Sequence, residues 1–220
     1  MVNNLGKYLI MHLNIVEETK DWVVVFKPHG IIVEENPYEI SIESILKEKY
    51  KFVGIVHRLD RVTSGILLIA KKKSILRELN KQFSDKIIEK EYLALVENKP
   101  PKQKDILTNF LYKHQKDKKA IIFETKKDKC FEVSLEYEIV EKQNENYLLK
   151  IRPFTGKFHQ IRVQLANIGC PIVGDTKYNN TNKLEHLKTI ALQAFSLKFI
   201  DTFTKKKILI KVKEKFRYKN

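Results

Sequence analysis

The residues best able to do chemistry lie together at His57-Arg58-Leu59-Asp60-Arg61-Val62-Thr63-Ser64-Gly65. Phe52-Val53-Gly54-Ile55-Val56 precede them and Ile66-Leu67-Leu68-Ile69-Ala70 follow, a pattern that predicts strand, polar loop, strand. Asp60 therefore falls on a short loop between buried strands, with Thr63-Ser64-Gly65 expected to supply the turn into the second strand. Cations at Arg58 and Arg61 favour its ionised form, and an ionised carboxylate on a rigid loop can serve as a nucleophile. The triplet by itself equally fits a surface ion pair.

A second group surrounds Pro153-Phe154-Thr155-Gly156-Lys157-Phe158-His159-Gln160-Ile161-Arg162. Thr155 is a candidate cap for a helix carrying Ile161, Leu165 and Ile168, and Gly169 followed by Pro171 is a stop signal. With Lys157, His159 and Arg162 in an outward-facing first turn, this reads as an anion-binding helix start. A metal-dependent nuclease could in principle be assembled from His57, Asp60 and His159, but the sequence offers no carboxylate cluster to complete it.

The elements that must position these residues follow in chain order. Leu13–Val16 and Trp22–Phe26 read as strands, the second ending in the turn Lys27-Pro28-His29-Gly30. Ser41 is an N-cap for a helix through Tyr50, with Ile42, Ile45, Leu46 and Tyr50 on one face. After Lys71-Lys72-Lys73, Ser74 starts a helix striped by Ile75, Leu76, Leu79 and Phe83. Lys90–Val96 alternates as a strand with Tyr92, Ala94 and Val96 on one face, where a tyrosine most simply packs half-buried. From Lys99 to Lys129 the chain is irregular and lysine-rich, an exposed insertion or a pair of short strands. Alternation resumes at Phe131–Tyr137 and Tyr147–Ile151.

The chain has 220 residues, 43% hydrophobic and 31% charged, which suits one sizeable core. A formal charge of +15 is the footprint of a polyanion binder but does not choose between RNA, DNA and an anionic membrane. No apolar run is long enough to span a bilayer, and Tyr8–Met11 is too short for a signal-peptide core. Cys130 and Cys170 have neither disulfide-framework nor zinc spacing, so both thiols are expected to be free in a cytoplasmic protein.

Taken whole, His-Arg-Leu-Asp-x-x-Thr-Ser-Gly before an apolar strand closely resembles the signature of the RluA-type pseudouridine synthases. The resemblance extends to Lys27-Pro28-x-Gly30, to Lys90-x-Tyr92-x-Ala94, to Thr155-Gly156-x-x-His159-Gln160-Ile161-Arg162, and to Gly169-x-Pro171-Ile172-x-Gly174-Asp175 with Tyr178. These segments run in order from about Trp22 to Phe199. The resemblance implies Asp60 as nucleophile, Tyr92 packed on the target base or acting as base, and Arg162 paired with Asp60. It further implies RNA contacts from Arg58, Arg61, Lys71, Lys72, Lys157 and His159, supplemented by the 113–129 region and the lysine-rich C-terminus. Lys157 stands where Arg is common and Gln193 where His is common, so the grip on RNA departs from the family pattern.

The implied architecture is α+β: a single domain, residues 1–220 with a core of roughly 13–200, built on a mixed, mostly antiparallel bent sheet with flanking helices and a central catalytic cleft. No S4 domain is expected at the N-terminus. The implied activity is isomerisation of uridine to pseudouridine in a tRNA or large-subunit rRNA stem-loop, by a monomer with no cofactor, no metal, no membrane and no obligate protein partner. The alternative is a non-catalytic basic RNA-binding protein.

Overall fold

The structure is a computed structural model that describes residues 13–179 and 189–213. Tyr8–Met11 and the lysine-rich tail beyond Lys213 lie outside the described residues. These divide into two compact units, one holding the chain up to Lys90 together with Ala194–Lys213, the other running from Glu91 to Gln193. Both combine helices with mostly antiparallel strands, the α+β class read from the sequence. No helix among the described residues is long and apolar enough to cross a membrane.

In the first unit, β1 (Ile15–Glu18), β2 (Trp22–Lys27) and β4 (Ser64–Ala70) run antiparallel in that order, with Trp22 opposite Ala70 and Lys27 opposite Gly65. Every residue of β4 is buried, which is why its sequence reads as a continuous apolar run instead of alternating. β3 is only Gly54–Ile55, shorter than the strand expected over 52–56, and it pairs with the far end of β4. β10 (Leu192–Ile200) and β11 (Lys207–Lys211) form an antiparallel pair. Trp22 fixes one end of this core: its indole N–H donates to Asp201 at 2.7 Å, and its ring meets Phe199 edge-on.

Ser41 does cap α1, through a reciprocal box with Ser44, but α1 spans Ile42–Lys47 and stops short of Tyr50. Ile42, Ile45 and Leu46 are its buried face. α2 (Lys73–Ser84) buries Ile75 and Leu79 as the stripe predicts.

The second unit orders β5 (Glu89–Val96), β9 (Asn146–Pro153), β8 (Phe131–Gln143), β6 (Lys104–His114) and β7 (Lys119–Phe123) antiparallel. The segment read as irregular is mainly the long hairpin β6–β7, with His114 opposite Lys119. Its strands escape periodicity because both carry lysines; Leu111 and Ala120 nevertheless join Val133 and Val163 in a core against α3 (Gln160–Asn167). β5 is buried from Tyr92 to Val96 on both faces, so the expected one-sided alternation does not hold there.

Candidate active site

Asp60 sits on a turn closed by the Thr63 N–H, which donates to the Asp60 carbonyl at 3.0 Å. The turn ends before Ser64; Ser64 and Gly65 already belong to β4. Gly65 is required there for space as well as for its φ of +121°, since a Cβ would lie 2.2 Å from the carbonyl oxygen of Ala194. The expectation that Thr63-Ser64-Gly65 forms the turn is corrected accordingly: Gly65 serves strand packing.

The turn is buttressed by the Lys27–Gly30 segment. Lys27 is fully buried, and its ammonium donates to the carbonyls of Pro28 (3.0 Å), Ile31 (2.8 Å) and Arg61 (3.1 Å). The Gly30 N–H also reaches Arg61 O at 2.9 Å, and His29 Nδ1 donates to Val62 O at 2.7 Å. Three acceptors match the three hydrogens of an ammonium. Burial lowers the Lys27 pKa to about 7, opposed by the negative charge of Asp60. The sequence marks this segment as a turn that shares in the family resemblance but assigns Lys27 no role; a lysine as the last residue of an otherwise apolar strand was the available signal.

His57 anchors the other end of the loop. Its Nε2 accepts the Leu68 N–H at 3.1 Å, and desolvation lowers its pKa to about 3, so the ring is neutral. With that lone pair used, His57 is a structural histidine, and the His57, Asp60, His159 metal constellation loses a member. No metal-ligating cluster occurs among the described residues. Arg58 and Arg61, adjacent to Asp60 in sequence, pair with Glu34 at 2.6 Å and with Glu39, respectively. Lys71 pairs with Glu18 at 2.8 Å and Lys72 with Asp21 at 2.6 Å.

In the second unit, Tyr92 lies on β5 opposite Ile151 and is buried. Arg162 is buried on α3, where its Nε and Nη2 each donate to Asp175 at 2.7 Å. This side-on fork uses one edge of the guanidinium. The reading of this region needs two corrections. The cap of α3 is His159, in left-handed conformation at φ +53°, and not Thr155. The first turn is also buried: Gln160 accepts from Thr155 Oγ1 and the Lys157 N–H and donates to Ser134 O, while Gln164 donates to Leu107 O and Asn109. It is thus not an outward anion site. α3 hides Gln160, Arg162 and Gln164 because each has fixed partners, which apolar periodicity does not register.

His159 stacks on Phe158 at 3.7 Å, and its Nδ1 lies 2.8 Å from the Tyr178 hydroxyl, which itself accepts the Ala120 N–H at 2.7 Å. The phenol oxygen thus bridges the β7 backbone and the His159 ring. Burial, reinforced by Arg162, Lys177 and Lys113, lowers the His159 pKa to about 3. Lys157 lies over the ring of Phe131 at 4.1 Å. Cys130 and Cys170 are free thiols.

Comparison with known proteins places these features in context. Residues 21–167 match the family described as RNA pseudouridylate synthase. Ribosomal large subunit pseudouridine synthase C of Buchnera aphidicola subsp. Baizongia pistaciae is 36% identical over 214 residues, covering 92% of this chain and 67% of its own. The protein of the same name from Haemophilus influenzae is 35% identical over 207 residues, covering 89% of this chain and 63% of its own. The chain thus spans about two thirds of the length of these curated relatives. Among solved structures, Human RNA Pseudouridylate Synthase Domain Containing 4 superposes with a TM-score of 0.81 at 21% identity, over 96% of this chain and 93% of that one, a likeness of fold.

Proposed function

Because this chain belongs to the RNA pseudouridylate synthase family, we propose that it converts uridine to pseudouridine in RNA, with Asp60 as nucleophile and uridines of large-subunit ribosomal RNA as substrate. The observation that carries the assignment of Asp60 is its seat: a carboxylate on a turn held by buried Lys27 and by His29 and His57 has little freedom to move, as a positioned nucleophile requires. The relatives' name supports the choice of RNA.

The reaction breaks the C1′–N1 bond, turns the uracil and forms a C1′–C5 bond; N1 gains a proton and C5 loses one, so product and substrate are isomers. Ionised Asp60 acts at C1′ or assists loss of the 2′ proton, and side chains suffice for either route. Arg162, fixed by Asp175, is the cation that the family pattern assigns to keep Asp60 ionised. Tyr92 packs against the base and takes the C5 proton. Since C1′ is hidden in a stacked helix, the nucleotide is flipped out, with Arg58 supporting the vacated stack. Arg61, Lys157 and His159 contact the RNA backbone. Lys71 and Lys72, held by Glu18 and Asp21, contribute mainly to the attractive field. The enzyme works as a cytoplasmic monomer.

The test is pseudouridine mapping of total RNA with and without the gene, followed by tritium release from [5-³H]uridine large-subunit rRNA by the parent and Asp60→Asn proteins. The expected result is a missing rRNA modification and no release by Asp60→Asn, with RNA affinity within about threefold of the parent. Turnover by Asp60→Asn free of deamidated protein overturns the nucleophile assignment, and a missing modification confined to tRNA overturns the choice of substrate.

A further inference from the structure

Both arginines that flank Asp60 are held by carboxylates from a single turn. Glu34 accepts from Arg58 Nη1 at 2.6 Å, and Glu39 accepts from Arg61 Nη2. The turn between them is shaped locally: the Tyr38 N–H donates to Asn36 Oδ1 at 2.8 Å, and the Glu35 N–H to Glu43 at 2.9 Å. Tyr38 at its tip is 92% exposed, so apolar packing does not hold the turn against the protein. Both ion pairs are themselves open to solvent, with Arg58 67% and Glu34 53% exposed, Arg61 47% and Glu39 33%. Arg61 keeps the Glu39 carboxyl below its usual range, so the pair is fully charged at neutral pH.

We propose that the Glu34–Glu39 turn is an electrostatic lock on Arg58 and Arg61, opened by exchange of its carboxylates for RNA phosphates, and that it weakens RNA binding driven by charge alone. This rests on the RNA-modifying reading above. Exposed ion pairs are worth only about 0–1 kcal/mol each, so a polyanion can replace the carboxylates. Each exchange nevertheless leaves a carboxylate beside the incoming phosphate, and like charges repel. Binding driven by charge alone is thereby weakened. In a chain of charge +15, where general attraction to RNA is strong, this penalty holds charge-driven binding in check beside the proposed nucleophile.

The experiment measures Kd against salt concentration for poly(A), which contains no uridine, and for a large-subunit rRNA transcript, using the full-length parent, Glu34→Gln, Glu39→Gln and Glu35→Gln. Glu35→Gln removes the same charge from the same turn but touches only Lys47, which keeps Glu43 at 3.0 Å, and neither arginine. Expected for Glu34→Gln and Glu39→Gln are salt slopes steeper by up to about 0.7 each and several-fold tighter binding of both RNAs at low salt. Glu35→Gln should show less of each. Unchanged slopes, unchanged poly(A) affinity, or a Glu35→Gln protein matching the other two overturn the lock. If the parent binds both RNAs and any of these holds, only the lock falls; if the parent binds neither RNA, the synthase reading falls and takes the lock with it. Thermal melts confirm that each protein is folded.

Discussion

Lys27 Nζ and the carbonyl oxygen of Arg61 are 3.1 Å apart, a bond from a fully buried ammonium to the residue immediately after Asp60. It couples the end of β2 to the proposed nucleophile's turn. Replacing Lys27 by Met keeps the apolar stem and removes the donor, leaving the Pro28 and Ile31 carbonyls short of a partner at roughly 1–3 kcal/mol each. The expected result in urea melts is a clear loss of stability, and in tritium-release assays a loss of turnover larger than any loss of RNA affinity. A Lys27→Met protein with parental turnover would show that the turn keeps its geometry without this anchor.

Gly65→Ala is expected to destabilise the protein by roughly 2–5 kcal/mol, since the new methyl meets the Ala194 backbone and the residue must keep a positive φ. Gly30 also has a positive φ, but nothing lies within 4 Å of a Cβ there, so Gly30→Ala is expected to cost less. Denaturant midpoints of the two variants make the comparison; equal losses would mean that φ, not close approach, sets the cost.

Asp175→Asn removes the carboxylate from a buried guanidinium. Because breaking a buried pair leaves an uncompensated charge, a loss of about 3–5 kcal/mol is expected in equilibrium unfolding. Arg162→Met leaves the equally buried Asp175 carboxylate unpaired, so a comparable loss of stability is expected together with loss of activity. An active Arg162→Met protein would dismiss the proposed pairing of Arg162 with Asp60.

Stability should fall on acidification well before the carboxylates titrate. The folded pKa of His57 is lowered to about 3 from 6.5, so between those values the unfolded chain binds more protons than the folded one. By linkage, stability is level above pH 6.5 and declines as pH drops toward 3, by up to about 1.4 kcal/mol per pH unit for this group. His159, also lowered to about 3, acts in the same direction. Urea melts from pH 7 to 4.5 check this; His57→Gln should have the shallower slope, and an unchanged slope would mean that His57 is not buried neutral.

Tyr92→Phe keeps the buried ring and removes the hydroxyl. If Tyr92 takes the C5 proton, RNA affinity should be parental while single-turnover tritium release slows about 10²–10⁴-fold. Release at the parental rate would leave Tyr92 with ring packing alone.

Much of the proposed site was legible in the sequence because its signals are local. The apolar run of β4 after a polar loop placed Asp60 on a turn, the serine before Ile42 marked the start of α1, and the ordered motifs around Asp60, Tyr92 and Arg162 pointed to the family to which the chain belongs. Other features depend on partners distant in the chain. Lys27 reads as one more cation until burial and three carbonyls make it an anchor; the arginines beside Asp60 read as its counterions until Glu34 and Glu39 take them. The start of α3 reads as solvent-facing because Gln160 and Arg162 are polar, yet Ser134 and Asp175 satisfy them in the interior. Hydrophobic pattern reports which side chains avoid water, whereas a buried polar group is decided by whether tertiary structure supplies its hydrogen-bond partners, and that information is spread over residues such as 134, 160 and 175.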